Sequence, residues 1–303
     1  MSSKIFCLII SQKNSIVNNI FFSLFKQRDK QMSIENPQNE HKNNVNVIPF
    51  TMQNCFSNFV GVIDSGVGGL TVLRQLQRDF PLCSFVYLAD SANCPYGVKS
   101  PQEIQHRVET LIKFLQYNGA QAVVVACNTA SVFADRMRAK FNLPIFDVIA
   151  PTCKQVASVT RTKKVALLAT NATVRSQAYQ LELQKYGITV EALPCSNLVP
   201  FVEANTVNTA ECSEAVASAL FNLTQCDADT VILGCTHFPI LRKKISPYAK
   251  GKKIVECCCD FQPSVVYSPK QTSQTVFLTT GLAEQANNAS QWFGNTDFVH
   301  IDL

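Results

Sequence analysis

From Phe59 onward, short continuous apolar runs alternate with longer stretches of helical spacing. The runs are FVGVI (59–63), SFVYLAD (84–90), AQAVVVA (120–126), KKVALLAT (163–170), ITVEAL (188–193) and DTVILG (229–234). Between them, LTVLRQLQRDF (70–80) and SPQEIQHRVETLIKFLQYNG (100–119) carry apolar residues at helical intervals. Ser100 and Pro101 suit the start of the second of these helices, and Gly119 suits its end. Uninterrupted Val/Ile/Leu strands separated by helices predict an α/β fold of parallel sheets, covered on both faces. Ligands of such sheets bind beyond the carboxyl ends of the strands. Asp64, Cys127 and Cys235 all sit at such ends. Residues 1–58 lack the pattern. They are rich in Asn, Ser, Gln and Lys, and are expected to be a disordered extension.

Composition narrows the function classes. With 47% hydrophobic and 16% charged residues the chain is globular. No apolar run approaches the ~18 residues of a membrane span, so no membrane partner is expected. The net charge of +5 falls mostly in the first 58 residues, where six basic residues face three acidic ones. The remainder has no basic stripe, which argues against nucleic acid as a partner. Thirteen cysteines include no Cys-x-x-Cys pair, which favours a reducing cytoplasm and gives no zinc spacing.

The loop DSGVGG (64–69) joins a strand to a helix, a geometry that turns backbone N–H groups toward an anion. It is not a dinucleotide fingerprint, because Thr71 stands where the third glycine belongs, and it lacks the Gly-Lys-Ser/Thr ending of a Walker loop. A small carboxylate ligand fits better. Two further segments share one design. VVACNTAS (124–131) and ILGCTHFP (232–239) each run apolar to a cysteine and then turn polar. A helix starting after each cysteine would favour its thiolate. Cys235 paired with His237 would make a nucleophile and base, but this leaves Cys127 without a role. Racemisation employs both, since one thiol removes an α-proton from one face and the other supplies a proton to the opposite face.

In these motifs the chain resembles the cofactor-independent aspartate/glutamate racemases, and the glutamate racemases among them. The motifs occur in order: GVIDSGVGGLTVL (61–73), YLADSANCPYG (87–97), ACNTAS (126–131), LVPFVE (198–203) and GCTHFP (234–239). The resemblance implies two similar doubly wound α/β domains with mainly parallel sheets, facing each other across an active-site cleft. Residues 59–153 plus 261–303 would form the first domain, and 154–260 the second. It implies Cys127 as the base acting on D-glutamate, with Asp64 beside it. Cys235 would act on L-glutamate, supported by His237 and Glu203. Asp64, Ser65, Tyr96, Gly97, Asn128, Thr129, Thr173, Thr236 and His237 correspond to substrate-binding positions. No cofactor and no metal are implied. The expected reaction interconverts L- and D-glutamate in the cytoplasm and supplies D-glutamate for peptidoglycan. The resemblance also allows a racemase of aspartate or another acidic amino acid, a DNA gyrase-binding role, and a homodimer.

Overall fold

The structure, a computed structural model, describes residues 58–262 and 273–303. The expected disordered extension, Asn58 apart, lies outside the described residues. Among the described residues, ten strands form two sheets. They are β1 (Phe59–Asp64), β2 (Phe85–Ala89), β3 (Ala120–Val125), β4 (Ile145–Asp147), β5 (Lys164–Ala169), β6 (Thr189–Pro194), β7 (Thr230–Gly234), β8 (Lys253–Glu256), β9 (Thr275–Thr279) and β10 (Val299–His300). The first sheet has the order β10-β9-β2-β1-β3-β4 and the second the order β6-β5-β7-β8. Each of these pairings is parallel.

Alternation along the strands divides each sheet between two packing layers. In β5 and β7, Ala166, Leu168, Val231 and Leu233 join a cluster that also holds Val60, Val62, Tyr87 and Val124 of the first sheet. The opposite face of the second sheet carries Val165, Leu167 and Ile232, which pack with Val156, Tyr179 and Leu183. Both faces are therefore covered, and that is why the central strands read as unbroken apolar runs. The helix Pro101–Tyr117 begins with a capping box. Ser100 accepts from the Glu103 backbone N–H at 3.3 Å, and the Ser100 N–H donates to Glu103 Oε2 at 2.9 Å. Gly119 follows that helix with φ of +92°, a conformation that favours glycine.

Two features depart from expectation. ITVEAL forms the edge strand β6, and most of its side chains are exposed or half-buried, because it has a neighbour on one side only. The polar turn after Cys235 does not open into a helix. Turns intervene until the short helix Arg242–Ile245. Among the described residues no helix is long and apolar enough to cross a membrane.

Because all strands run parallel, their carboxyl ends share one edge in each sheet. Asp64 ends β1, Asp90 follows β2 and Cys127 follows β3, side by side. In the second sheet Thr170 follows β5 and Cys235 follows β7. One glycine measures how tightly the first sheet is packed. A Cβ on Gly61 would lie 2.6 Å from Leu115 Cδ1, and Leu115 is fully buried. Gly61→Ala is expected to cost about 1–3 kcal/mol through overpacking. Urea denaturation reads this directly, and an unchanged midpoint would mean that the helix moves aside freely.

Candidate active site

The loop after β1 is shaped around a buried carboxylate. Asp64 Oδ1 accepts the Gly66 N–H at 2.9 Å, and Asp64 Oδ2 accepts the Thr236 hydroxyl at 3.1 Å. Beneath the loop, the fully buried Tyr87 donates its hydroxyl to the Gly66 carbonyl at 2.6 Å. Burial pushes the Asp64 pKa up to about 6, against the opposing pull of nearby His237. Asp64 therefore changes protonation near neutral pH, unlike an ordinary aspartate.

The second sheet presents a linked triad at the same place. The Cys235 Sγ lies 3.6 Å from His237 Nδ1, and His237 Nε2 lies 2.5 Å from Glu203 Oε1. The same Glu203 oxygen accepts the Val67 N–H at 2.9 Å, so this triad is tied to the Asp64 loop. Burial alone would pull the imidazole down. The Cys235 thiol and the Glu203 carboxylate outweigh it and hold His237 well above the ordinary histidine range. His237 is thus set up to take and keep a proton. Bare backbone permits these approaches. A Cβ on Gly66 would fall 2.1 Å from Glu203 Oε1, and one on Gly68 would fall 2.6 Å from His237 Nδ1.

Cys127 stands at the N-cap position of the four-residue helix Asn128–Ser131 and donates its thiol to Ser65 Oγ at 3.7 Å. The helix start does favour its thiolate, as expected, but the effect is outweighed. Burial, with Asp64 adding to it, pushes the Cys127 pKa up to about 12, and the N–H of Ala130 offsets only part of this. Desolvation thus outweighs the short helix. A negative charge on Cys235 also raises Cys127, so the two thiols share one field. Asn128 is gripped from the second half of the chain. Its Nδ2 donates to Cys257 Sγ at 3.1 Å, and its Oδ1 accepts from the Tyr179 hydroxyl at 2.6 Å. Thr129, Thr170 and Thr173 form a triangle of buried hydroxyls, with separations of 2.8, 2.9 and 3.1 Å.

Tyr96 and Gly97 reach the site by another route. The Tyr96 hydroxyl donates to Asp90 Oδ2 at 2.5 Å, so its polar end is held by protein. Gly97 approaches the second sheet closely, and a Cβ there would lie 2.7 Å from Thr170 Cβ. Asp90 also accepts two bonds from Arg107, at 2.8 and 2.9 Å, one from Asn93 at 3.0 Å and one from Thr280 at 2.8 Å. Burial acts to raise the Asp90 pKa, but these donors hold it below the usual carboxylate range.

Residues 70–258 match the model of the Asp/Glu/hydantoin racemase family. The chain belongs to that family. A curated glutamate racemase of Shouchella clausii is 33% identical over 271 residues, covering 80% of this chain and 94% of its own. The crystal structure of a glutamate racemase isoform from Bacillus anthracis superposes with a TM-score of 0.74 at 30% identity, over 81% of this chain and 98% of that one. A structure of the Francisella tularensis glutamate racemase in complex with D-glutamate superposes at 0.71 with 26% identity, over 81% and 98%.

In this racemase the structure brings the sequence-derived residues Asp64, Ser65, Cys127, Glu203, Cys235, Thr236 and His237 into one connected cluster. Thr129 and Thr173 meet in the hydroxyl triangle. Tyr96 stands behind, bonded to Asp90. Sequence reasoning missed Asp90 as an anchor, Arg107, Thr170, Tyr179 and Cys257. Asp90, Thr170 and Cys257 carried one signal, their places at strand ends. Arg107 offers a test of the anchor. Its side chain is 15% exposed, and Asp90 is wholly buried. Arg107→Met leaves that carboxylate without its cation and is expected to cost about 3–5 kcal/mol. A loss below about 1 kcal/mol in urea denaturation, the range of surface pairs, would show that the remaining donors suffice.

Proposed function

We propose that this racemase interconverts L- and D-glutamate by cofactor-independent 1,1-proton transfer between Cys127 and Cys235. The observation that carries the reading is the pair of buried thiols in one field, each beside its own proton acceptor. Cys235 has His237 backed by Glu203, and Cys127 has Asp64 beside it. The glutamate racemases among its relatives, and the D-glutamate complex among the solved structures, support the substrate.

In the resting state Cys127 holds its proton, because burial has raised it. On the other side, His237 Nδ1 lies 3.6 Å from the Cys235 sulfur and is placed to accept that thiol's proton. The site is therefore set with an acid on one side and a base on the other. Cys235 removes the α-proton of L-glutamate, and Cys127 protonates the opposite face to give D-glutamate. The reverse reaction exchanges the roles, with Asp64 accepting the Cys127 proton. The Gly66 and Val67 N–H groups are engaged by Asp64 and Glu203, so the Gly68 and Gly69 N–H groups, with Ser65, Asn128, Thr129, Thr173 and Thr236, would hold the amino and carboxylate groups and stabilise the carbanion. Both thiols are only 5% exposed, so little water reaches them. Tyr96 and Gly97 shape the wall of the site. The product would supply D-glutamate for peptidoglycan in the cytoplasm, and the two sheets would serve as the two domains, dividing near 153 and 261.

Three measurements test this. In heavy water, L-glutamate should give D-glutamate deuterated at Cα while recovered L-glutamate stays protiated at early times. Equal early labelling of both enantiomers points to one shared base instead. Cys127→Ser or Cys235→Ser should abolish fast racemisation, since an alcohol is a far weaker acid than a thiol. Full activity in either variant removes that cysteine from the mechanism. Activity should also survive dialysis against a chelator.

The pH profile has a definite sign. Asp64 is ionised above about 6 and protonated below it. The enantiomers have equal free energy in solution, so kcat/KM must be the same in both directions at every pH. It should fall in both directions as pH drops through about 6. A circular-dichroism assay that stays flat down to pH 5 would show that ionised Asp64 is not needed.

A further inference from the structure

Cys94 is a third thiol at this site, and proton transfer leaves it without a role. It lies in the loop between β2 and the helix Pro101–Tyr117, and it is half-buried. Its Sγ, a ring nitrogen of His237 and a carboxylate oxygen of Glu203 all lie within 4.8 Å of one another. Positions 94, 203 and 237 form no local spacing, so the group is invisible to a search for zinc patterns along the chain.

We propose that Cys94, Glu203 and His237 form a binding site for a borderline-soft divalent cation of the Zn²⁺ class, and that its occupation reversibly switches the enzyme off. The donor set is one thiolate, one imidazole and one carboxylate, each a zinc ligand type, with a fourth position open to water. Zinc bonds of about 2.0–2.3 Å place ligand atoms about 3.3–3.6 Å apart. The three atoms therefore need to shift by about 1 Å, within the reach of side-chain rotation. Glu203 Oε1 is engaged by Val67 and His237, whereas its Oε2 makes no hydrogen bond among the described residues. Glu203 is 21% exposed in its side chain, which leaves an approach from solvent. The nearby Asp64 carboxylate adds negative field that favours a cation.

On binding, the Cys94 thiol proton and the Nε2 proton of His237 leave to solvent, and Sγ, Nε2 and a carboxylate oxygen bond to the metal. Nothing is oxidised or reduced. His237 and Glu203 are then withdrawn from Cys235, which halts proton transfer. Inhibition alone rests on the racemase reading, whereas binding of the metal does not.

Titration of the full chain with Zn²⁺ by calorimetry should give one site per chain. In Cys94→Ala that site should weaken by about tenfold or more, since even partners outside the ligand set change affinity by 10–100-fold. Co²⁺ should give a near-ultraviolet thiolate charge-transfer band, lost in Cys94→Ala. The same variant should racemise glutamate at close to the parent rate, and it should need about tenfold more Zn²⁺ for half-inhibition, with a chelator restoring the parent enzyme. Equal Zn²⁺ affinity and an unchanged cobalt band in Cys94→Ala would place the metal on another of the chain's thirteen cysteines and overturn the site. If the metal binds through Cys94 but no racemisation is found in its absence, the proposed function fails and the metal site stands.

Discussion

Glu203 accepts the Val67 N–H and the Nε2–H of His237 on a single oxygen. These two bonds join the loop after β1 to the loop after β7, and the rest of the site depends on them. They set the imidazole so that Nδ1 faces Cys235. They also bring the second sheet against the Asp64 loop so closely that neither Gly66 nor Gly68 has room for a side chain. A glycine is required at these positions by proximity, since neither has a positive φ. The Thr236 hydroxyl, bonded to Asp64, adds a second tie between the same loops.

Water exclusion then differentiates the titratable groups. Burial destabilises charge, so it raises Asp64 and Cys127, and it would lower His237. Local partners decide the outcome in each case. Cys127 has only a short helix start and a serine hydroxyl to help its anion, and burial wins. His237 has a thiol on one nitrogen and a carboxylate on the other, and the partners win. Two cysteines of the same chemical type thereby acquire different proton-handling surroundings, without any difference in the side chains themselves.

Much of this was legible in the sequence, for specific reasons. β1, β3, β5 and β7 are buried on both faces, so each reads as a continuous apolar run. The two cysteines stood out because each ended such a run. The short strands β4 and β10 have too few residues to carry a pattern. β6 reads as a buried strand, but its place at the sheet edge, which its own residues do not encode, exposes it. The net balance at Cys127 was not legible for a similar reason. A helix start is a local feature, whereas desolvation comes from distant parts of the chain. The pairings of Arg107 and Cys257 could not be read because their partners, Asp90 and Asn128, lie 17 and 129 residues away.

The order of strands in the first sheet has a consequence for the life of the chain before it is an enzyme. β2 is paired on one side by β1, its immediate predecessor, and on the other by β9, where Phe85 meets Thr275. A ribosome releases the whole second sheet before it releases that partner. Until then β2 is an unprotected sheet edge, with open N–H and C=O groups that can template pairing with another chain. Non-local pairing of this kind slows folding and prolongs exposure to aggregation. The sheet that begins first is therefore completed last.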